Sequence, residues 1–379
     1  MGQTRTVWKN PAEIVAEMAP LDPVIAFAPT VLQETARRFI DGFPGLVTYA
    51  VKSNPDAALI QSLIAAGVTG FDVASPAEID LIGRIAPAAA RHYHNPVRGA
   101  EEIAHAAAAG VTSYSVDSHS ELDKLIGAIP EGSEISPRFK LPVMGAIYDF
   151  GSKFGAAPEL AAELLARVAK AGYRPSLTFH PGTQCVDPAA WETYIRTARD
   201  ICDMAGLRAE RLNVGGGFPS HRVTEVEPDL EAIFALIGTT TTEVFGADAP
   251  ALVCEPGRGL CADAFTLIAR IKGLRDGENI FLNDGVYGAL SEIPLVGNLS
   301  RIEVLDPQGR PRQGEAVPRV IFGPTCDSVD RLPGEIPLPG DLAEGDYILF
   351  HGAGAYSMAT NTRFNGFGNL QVATVLALH

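Results

Sequence analysis

Eight short apolar runs read as strands, and several of them end in residues that can do chemistry. The first, Leu46–Lys52, ends in a lysine, and the second, Gly70–Ala74, holds Asp72. The fifth, Glu134–Phe139, holds Arg138, and the sixth, Ser176–His180, ends in a histidine. Gly215, Gly216 and Gly217 follow the seventh, Arg211–Val214. The eighth, Ala251–Glu255, ends in a glutamate with Gly257 and Arg258 close behind. A lysine closing an apolar strand is partly desolvated, which lowers its pKa and favours a nucleophilic amine able to form a Schiff base. The bland alternative is a lysine snorkelling to solvent. Consecutive glycines let backbone N–H groups close on an anion, and Arg258 adds positive charge beside them; a plain tight turn is the competing reading. A carboxylate at Glu255 needs a partner, because an unpaired buried charge is costly. A structural ion pair and a pyridinium nitrogen both qualify. His180 is suited to stacking on a flat ring, or to a place in the core.

Schiff-base lysine, phosphate cradle and pyridinium carboxylate are together the three handles of pyridoxal 5′-phosphate (PLP). No G-x-G-x-x-G fingerprint opens the first β-turn-α unit, which disfavours a dinucleotide. No histidine pair or acidic cluster has metal-ligand spacing, so no metal is expected.

These residues must be held by the elements between them. Strands are also expected at His92–Asn95 and Ser113–Val116. Helical periodicity separates the runs at Asp56–Ala66, Pro76–Ile85, Gly99–Ala109, Ser120–Ile129, Pro158–Ala171, Pro188–Ala205 and Pro228–Ile237, with Val31–Ile40 ahead of the first strand. Eight β units joined by helices read as an α/β chain folded as a (β/α)8 TIM barrel, whose strand ends converge on one mouth. After Arg258 the texture becomes β-rich, with strands expected at Phe265–Ile271, Asn279–Asn283, Arg319–Phe322 and Asp346–Phe350. The proline-rich run Leu332–Pro339 reads as a surface loop. The expected division is a PLP-binding barrel over 29–261 and a mostly β domain made of 1–28 and 262–379.

Composition bounds the rest. The 379 residues are 46% hydrophobic and 20% charged, which is globular. A net charge of −15 disfavours nucleic acid. No apolar run is long enough to span a bilayer, and the N-terminus has no apolar stretch of the secretory kind, so a cytoplasmic location is expected. Met1, Gly2 and Thr6 formally fit an acylation pattern, but no polybasic patch supports it. The five cysteines are odd in number and lack zinc-like spacing, which suits free thiols in a reducing compartment.

With these motifs in order, the chain resembles the fold-type III PLP-dependent basic amino acid decarboxylases, of alanine racemase-like fold. The segments that carry the likeness are Tyr49–Pro55, Phe71–Ser75, Phe179–Cys185, Gly215–Pro219, Glu255–Arg258, Asn283–Gly288, Gly323–Asp327 and Gly354–Tyr356. The branch most alike is ornithine decarboxylase, including bacterial ornithine/lysine forms. The resemblance implies that Lys52 holds PLP, that His180 stacks on its ring and that Glu255 faces the ring nitrogen. It implies that Asp72 and Arg138 support the ring and Lys52. Thr183, Gly215, Gly216, Gly217, Gly257, Arg258 and Tyr356 would hold the phosphate. Cys326, from the other subunit of a homodimer with shared sites, would reprotonate the substrate carbon. Asp327, also from across the interface, would bind the distal ammonium, with Tyr287, Glu292 and Phe364 at the substrate.

The implied reaction takes L-ornithine to putrescine, as in polyamine biosynthesis, with L-lysine to cadaverine as a further substrate. Diaminopimelate decarboxylation is the alternative, although Asp327-Ser-Val-Asp330 looks like the ornithine branch. A non-catalytic homologue is the other, although Lys52 and Cys326 are both present. There are departures from the family's pattern. Its usual Ala-Asn-Pro-Cys-Lys on the third strand is here His94-Asn-Pro-Val-Arg98, and Val296 stands where the family places an acidic tail-binding residue. Glu292, one turn earlier, is the expected replacement.

Overall fold

The computed structural model describes residues 6–141, 153–222, 227–297 and 299–379. Met1 and Gly2 of the acylation pattern lie outside them. The chain divides into two compact units. One comprises 35–219 and 228–260, the other 1–34, 220–227 and 261–379.

The first unit is a ring of parallel strands: β1 (Gly45–Ala50), β2 (Gly70–Val73), β3 (Ala90–Tyr93), β4 (Ser113–Val116), β5 (Glu134–Pro137), β6 (Arg174–Pro175), β7 (Leu177–Thr178), β8 (Arg211–Asn213) and β9 (Ala251–Cys254). β6 and β7 are two halves of one sixth strand, broken at Ser176. β6 pairs with β5, and β7 pairs with β8. A parallel bridge from Arg138 to Thr178 joins the open ends, and β9 pairs with β1. Eight strand positions therefore make up the ring, as the sequence implies for a (β/α)8 barrel.

Local chemistry places the helices. Asp56 accepts from the N–H groups of Ala58 and Leu59 and starts helix Ala57–Ala66. Ser75 caps Pro76–Ile85, where proline occupies the first turn. The expected helix Pro228–Ile237 is a longer one, Leu230–Phe245. Gly238 and the four threonines after it do not stop it. Thr241 and Thr242 donate their hydroxyls to the carbonyls of Ile237 and Gly238 four residues back, at 2.7 and 2.9 Å.

The second unit is a β sheet. Along it run Val7–Trp8, Gln371–Val375, Val24–Phe27, Phe265–Arg275, Asn279–Leu282, Ala316–Phe322 and Ile336–Pro339; Tyr347–His351 pairs with both Phe265–Arg275 and Ile302–Leu305. The surface loop expected over Leu332–Pro339 is thus corrected: its second half is an edge strand. Ile336 and Leu338 are buried, while the prolines alternate with them on a strand that has one neighbour among the described residues. An edge is where a strand tolerates residues without N–H groups.

Candidate active site

Counting in twos along the barrel strands explains which side chains meet, since alternate residues share a face. Lys52 lies one short turn beyond β1, in the 3-10 turn Val51–Ser53. Its Nζ is 3.9 Å from Asp72 Oδ2 of β2. The Asp72 carboxyl is buried, and its Oδ1 has no hydrogen-bond partner among the described residues. Burial first, then repulsion from Glu255, pushes its pKa up to about 7, against the pull of Lys52.

Glu255 follows β9. Its Oε1 is met by His94 Nδ1 and by Asn213 Nδ2, the latter at 2.5 Å. Burial pushes its carboxyl up, but the charge and hydrogen bond of His94, the Asn213 hydrogen bond and Lys52 outweigh it and bring the pKa down to about 2. His180 is held neutral, at about 3, by burial and then by the charges of Arg138 and Lys52. Its Nδ1 accepts the N–H of Gly182 at 3.2 Å, so the other ring nitrogen carries the proton. The Arg138 guanidinium lies 5.5 Å from the Phe154 ring centroid, and burial lowers its pKa.

The glycines are required by space as well as by conformation. Gly215 and Gly217 have φ of 71° and 84°, and a Cβ on either would collide with a backbone carbonyl, that of Phe179 or Gly182. A Cβ on Gly257 would sit 2.8 Å from Ser53 Oγ. These backbones approach their neighbours as a tight anion cradle does. Thr183 and Arg258 lie on the adjoining turns, and Arg258 opens the short helix Arg258–Cys261.

The remaining expected residues lie in the β unit. Tyr287 donates its hydroxyl to Asp327 Oδ2 at 2.6 Å and packs on Phe364 with ring centroids 4.7 Å apart. The Tyr287 hydrogen bond, then that of the Val329 N–H, lowers the Asp327 pKa. Cys326 is exposed, and both its N–H and its thiol donate to Asn365 Oδ1 at 3.2 Å. Tyr356 has φ 65° and accepts from Thr360. At Glu292, Arg222 donates to Oε1 at 2.5 Å in a largely buried ion pair, so a positive charge already compensates it.

Three residues escaped the sequence reading of the site. Asn213 and His94 grip Glu255, and Asp330 organises the Cys326 loop. Asp330 accepts from Val286 N–H at 2.9 Å, Thr325 N–H at 3.0 Å and the Thr325 hydroxyl at 2.7 Å. Gly285 and Gly323 leave room for its carboxylate, which a Cβ on either would strike.

Residues 31–262 match the family described as pyridoxal-dependent decarboxylase, pyridoxal binding domain. The chain belongs to this pyridoxal-dependent decarboxylase family. It is similar to ornithine decarboxylase of Mus musculus, 33% identical over 87% of this chain and 75% of that protein. It is similar also to lysine/ornithine decarboxylase of Selenomonas ruminantium, 32% identical over 85% of this chain and 81% of that one. Among solved structures, arginine decarboxylase of Paramecium bursaria Chlorella virus superposes with a TM-score of 0.85 at 26% identity, covering 96% of this chain and 98% of that chain. The decarboxylase is therefore a PLP-dependent carboxy-lyase with the alanine racemase-like barrel and a β domain. The residues present fit PLP. A lysine, an orphaned buried carboxylate oxygen, an ionised buried glutamate, a neutral histidine and a glycine-lined cradle lie on successive turns of one barrel mouth.

Proposed function

We propose that this decarboxylase converts L-ornithine to putrescine and CO2, and takes L-lysine to cadaverine more slowly. The observation that carries the reading is Asp327. It is an ionised carboxylate on a short side chain, held by the Tyr287 hydroxyl and the Val329 N–H, and the Tyr287 ring in turn packs on that of Phe364. That arrangement suits an ammonium group on a short aliphatic chain. A guanidinium prefers a carboxylate with both oxygens open to it, and here each oxygen already accepts one donor. The names of the relatives from Mus musculus and Selenomonas ruminantium support the same reading.

PLP, when bound, supplies an electron sink for the pair released as the bond from Cα to the carboxylate breaks. Lys52 would bind the cofactor aldehyde through its amine. Glu255 accepts the ring N–H and keeps that nitrogen protonated. His180 covers one ring face. Gly215, Gly216, Gly217 and Gly257, with Thr183 and Arg258, would hold the phosphate. Asp72 and Arg138 flank Lys52. The Cys326 thiol delivers a proton to Cα, completing the exchange of CO2 for H+. Cys326 is exposed and Asp327 half-buried in the chain's own β unit. We assign them to the site of a second copy in a homodimer.

The test is a panel of ornithine, lysine, arginine and diaminopimelate offered to purified holoenzyme, scored by amine product. Ornithine is expected to show the highest kcat/KM. Lysine, with one more methylene, is expected to fall about tenfold or more below it. Preference for arginine or diaminopimelate overturns the reading.

A further inference from the structure

Strand β3 carries His92 and ends at Tyr93, and His94 follows it directly, ahead of Asn95-Pro96. His92 and His94 are two residues apart and share the inward face. Both nitrogens of the His94 ring are engaged. Nε2 is 3.1 Å from Ser113 Oγ on β4, and Nδ1 meets Glu255 Oε1. The strand itself is fixed beside it, because Ser115 donates its hydroxyl to the His94 carbonyl at 2.8 Å. Asn213 completes the grip: its Nδ2 donates to the same Glu255 oxygen, and its Oδ1 accepts the N–H of Gly215 at 2.9 Å, which ties it to the cradle. Glu255 Oε2 receives no hydrogen bond from the described residues.

We infer that His94 is a positioning residue of this decarboxylase: it clamps one oxygen of Glu255 in its charged form and leaves the other to accept the ring N–H of PLP. The inference rests on the reading that Glu255 faces the ring nitrogen. The sequence departs from the family's usual alanine at this position, so the clamp is a property of this chain rather than of the resemblance.

The charge balance favours an imidazolium. Burial lowers the pKa of His94, but the charge and hydrogen bond of Glu255, followed by the charges of Asp72 and Glu134, carry it above the usual value. The facing cations are Lys52 and Arg138, while Arg211 bears on His92. His92 and His180 stay neutral, at about 3. His94 is therefore the charge in direct contact with Glu255. Without it, burial dominates and the Glu255 pKa moves up. Ionisation of Glu255, and with it the hold on the ring, is then lost as pH falls through a higher value than in wild type.

The test compares wild type with His94→Ala, His94→Asn and Glu255→Gln, reading PLP dissociation against pH and the 15N spectrum of the histidines in the apoprotein. Asparagine can place a donor where Nδ1 stands but carries no charge. His94→Ala is expected to weaken PLP binding tenfold or more near about pH 6, a factor equal to one pKa unit. The loss should shrink toward about pH 8.5, where Glu255 ionises unaided. His94→Asn should bind as wild type at the higher pH and stay weakened at the lower one. The His94 ring should carry protons on both nitrogens near neutral pH. The inference is overturned by wild-type binding in both His94 variants, by a loss that is equal at every pH, or by a neutral His94 ring. Glu255→Gln keeps the two failures apart. If it alone leaves PLP binding untouched, the reading of Glu255 is wrong; if it is impaired while both His94 variants are not, only the clamp is wrong.

Discussion

The barrel mouth and the Cys326 loop are built on opposite principles. Around Glu255 both hydrogen-bond partners are buried and arrive from different strands, His94 from the end of β3 and Asn213 from β8. Around Asp327 the contacts are partly exposed and come from loops: Tyr287, which packs on Phe364, and Val329. A buried carboxylate needs fixed neighbours to stay charged, whereas an exposed one has water for that. The buried site is thus complete in its own charges before any ligand arrives. The exposed one presents an acid, a thiol and an aromatic face that something else must cover. In the proposed reading, the first holds the cofactor and the second reads the substrate from across a dimer interface.

Several substitutions break or sharpen that contrast. The largest effect is expected for Cys326→Ala: kcat should fall on the order of a hundredfold or more, with PLP binding unchanged. If the loop serves a second copy, mixing inactive Lys52→Ala and Cys326→Ala chains should restore about a quarter of wild-type activity, since half of randomly paired dimers hold one intact site of two. No recovery on mixing would mean that each site draws Lys52 and Cys326 from one and the same copy. Next comes Asp330→Ala. It leaves two backbone N–H groups and a hydroxyl without their acceptor, so denaturant unfolding should show a loss of about 2–4 kcal/mol. A change below about 0.5 kcal/mol would deny Asp330 its organising role. The smallest is Tyr287→Phe, which removes one hydrogen bond from Asp327. The KM for ornithine should rise about threefold to tenfold, with kcat and cofactor colour unchanged. A fall in kcat alone would move Tyr287 from binding to chemistry.

Much of this was legible in the chain. Several barrel strands could be read because they are short apolar runs followed by a helix cap or a glycine turn, as Gly45–Ala50 is by Asp56 and Arg211–Asn213 by Gly215, and such signals are local. Lys52, His180, Gly215 and Glu255 could be read because they lie just past strand ends, where a barrel gathers its loops. The grip on Glu255 could not. His94 lies 161 positions from Glu255 and Asn213 lies 42 away, and only closure of the barrel brings them together. The Glu292–Arg222 pair was hidden in the same way, 70 positions apart. The strand Ile336–Pro339 was masked by its own prolines, whose loop signal is the same as their edge-strand signal until a neighbour is seen.

The central claim is that the amine of Lys52 carries the cofactor at the mouth that holds Glu255. Borohydride reduction of the yellow holoenzyme, followed by peptide mass spectrometry, tests it directly. A pyridoxyl group is expected on Lys52, and none in the Lys52→Ala protein. A pyridoxyl group on another lysine, or a protein that takes up none, would contradict it.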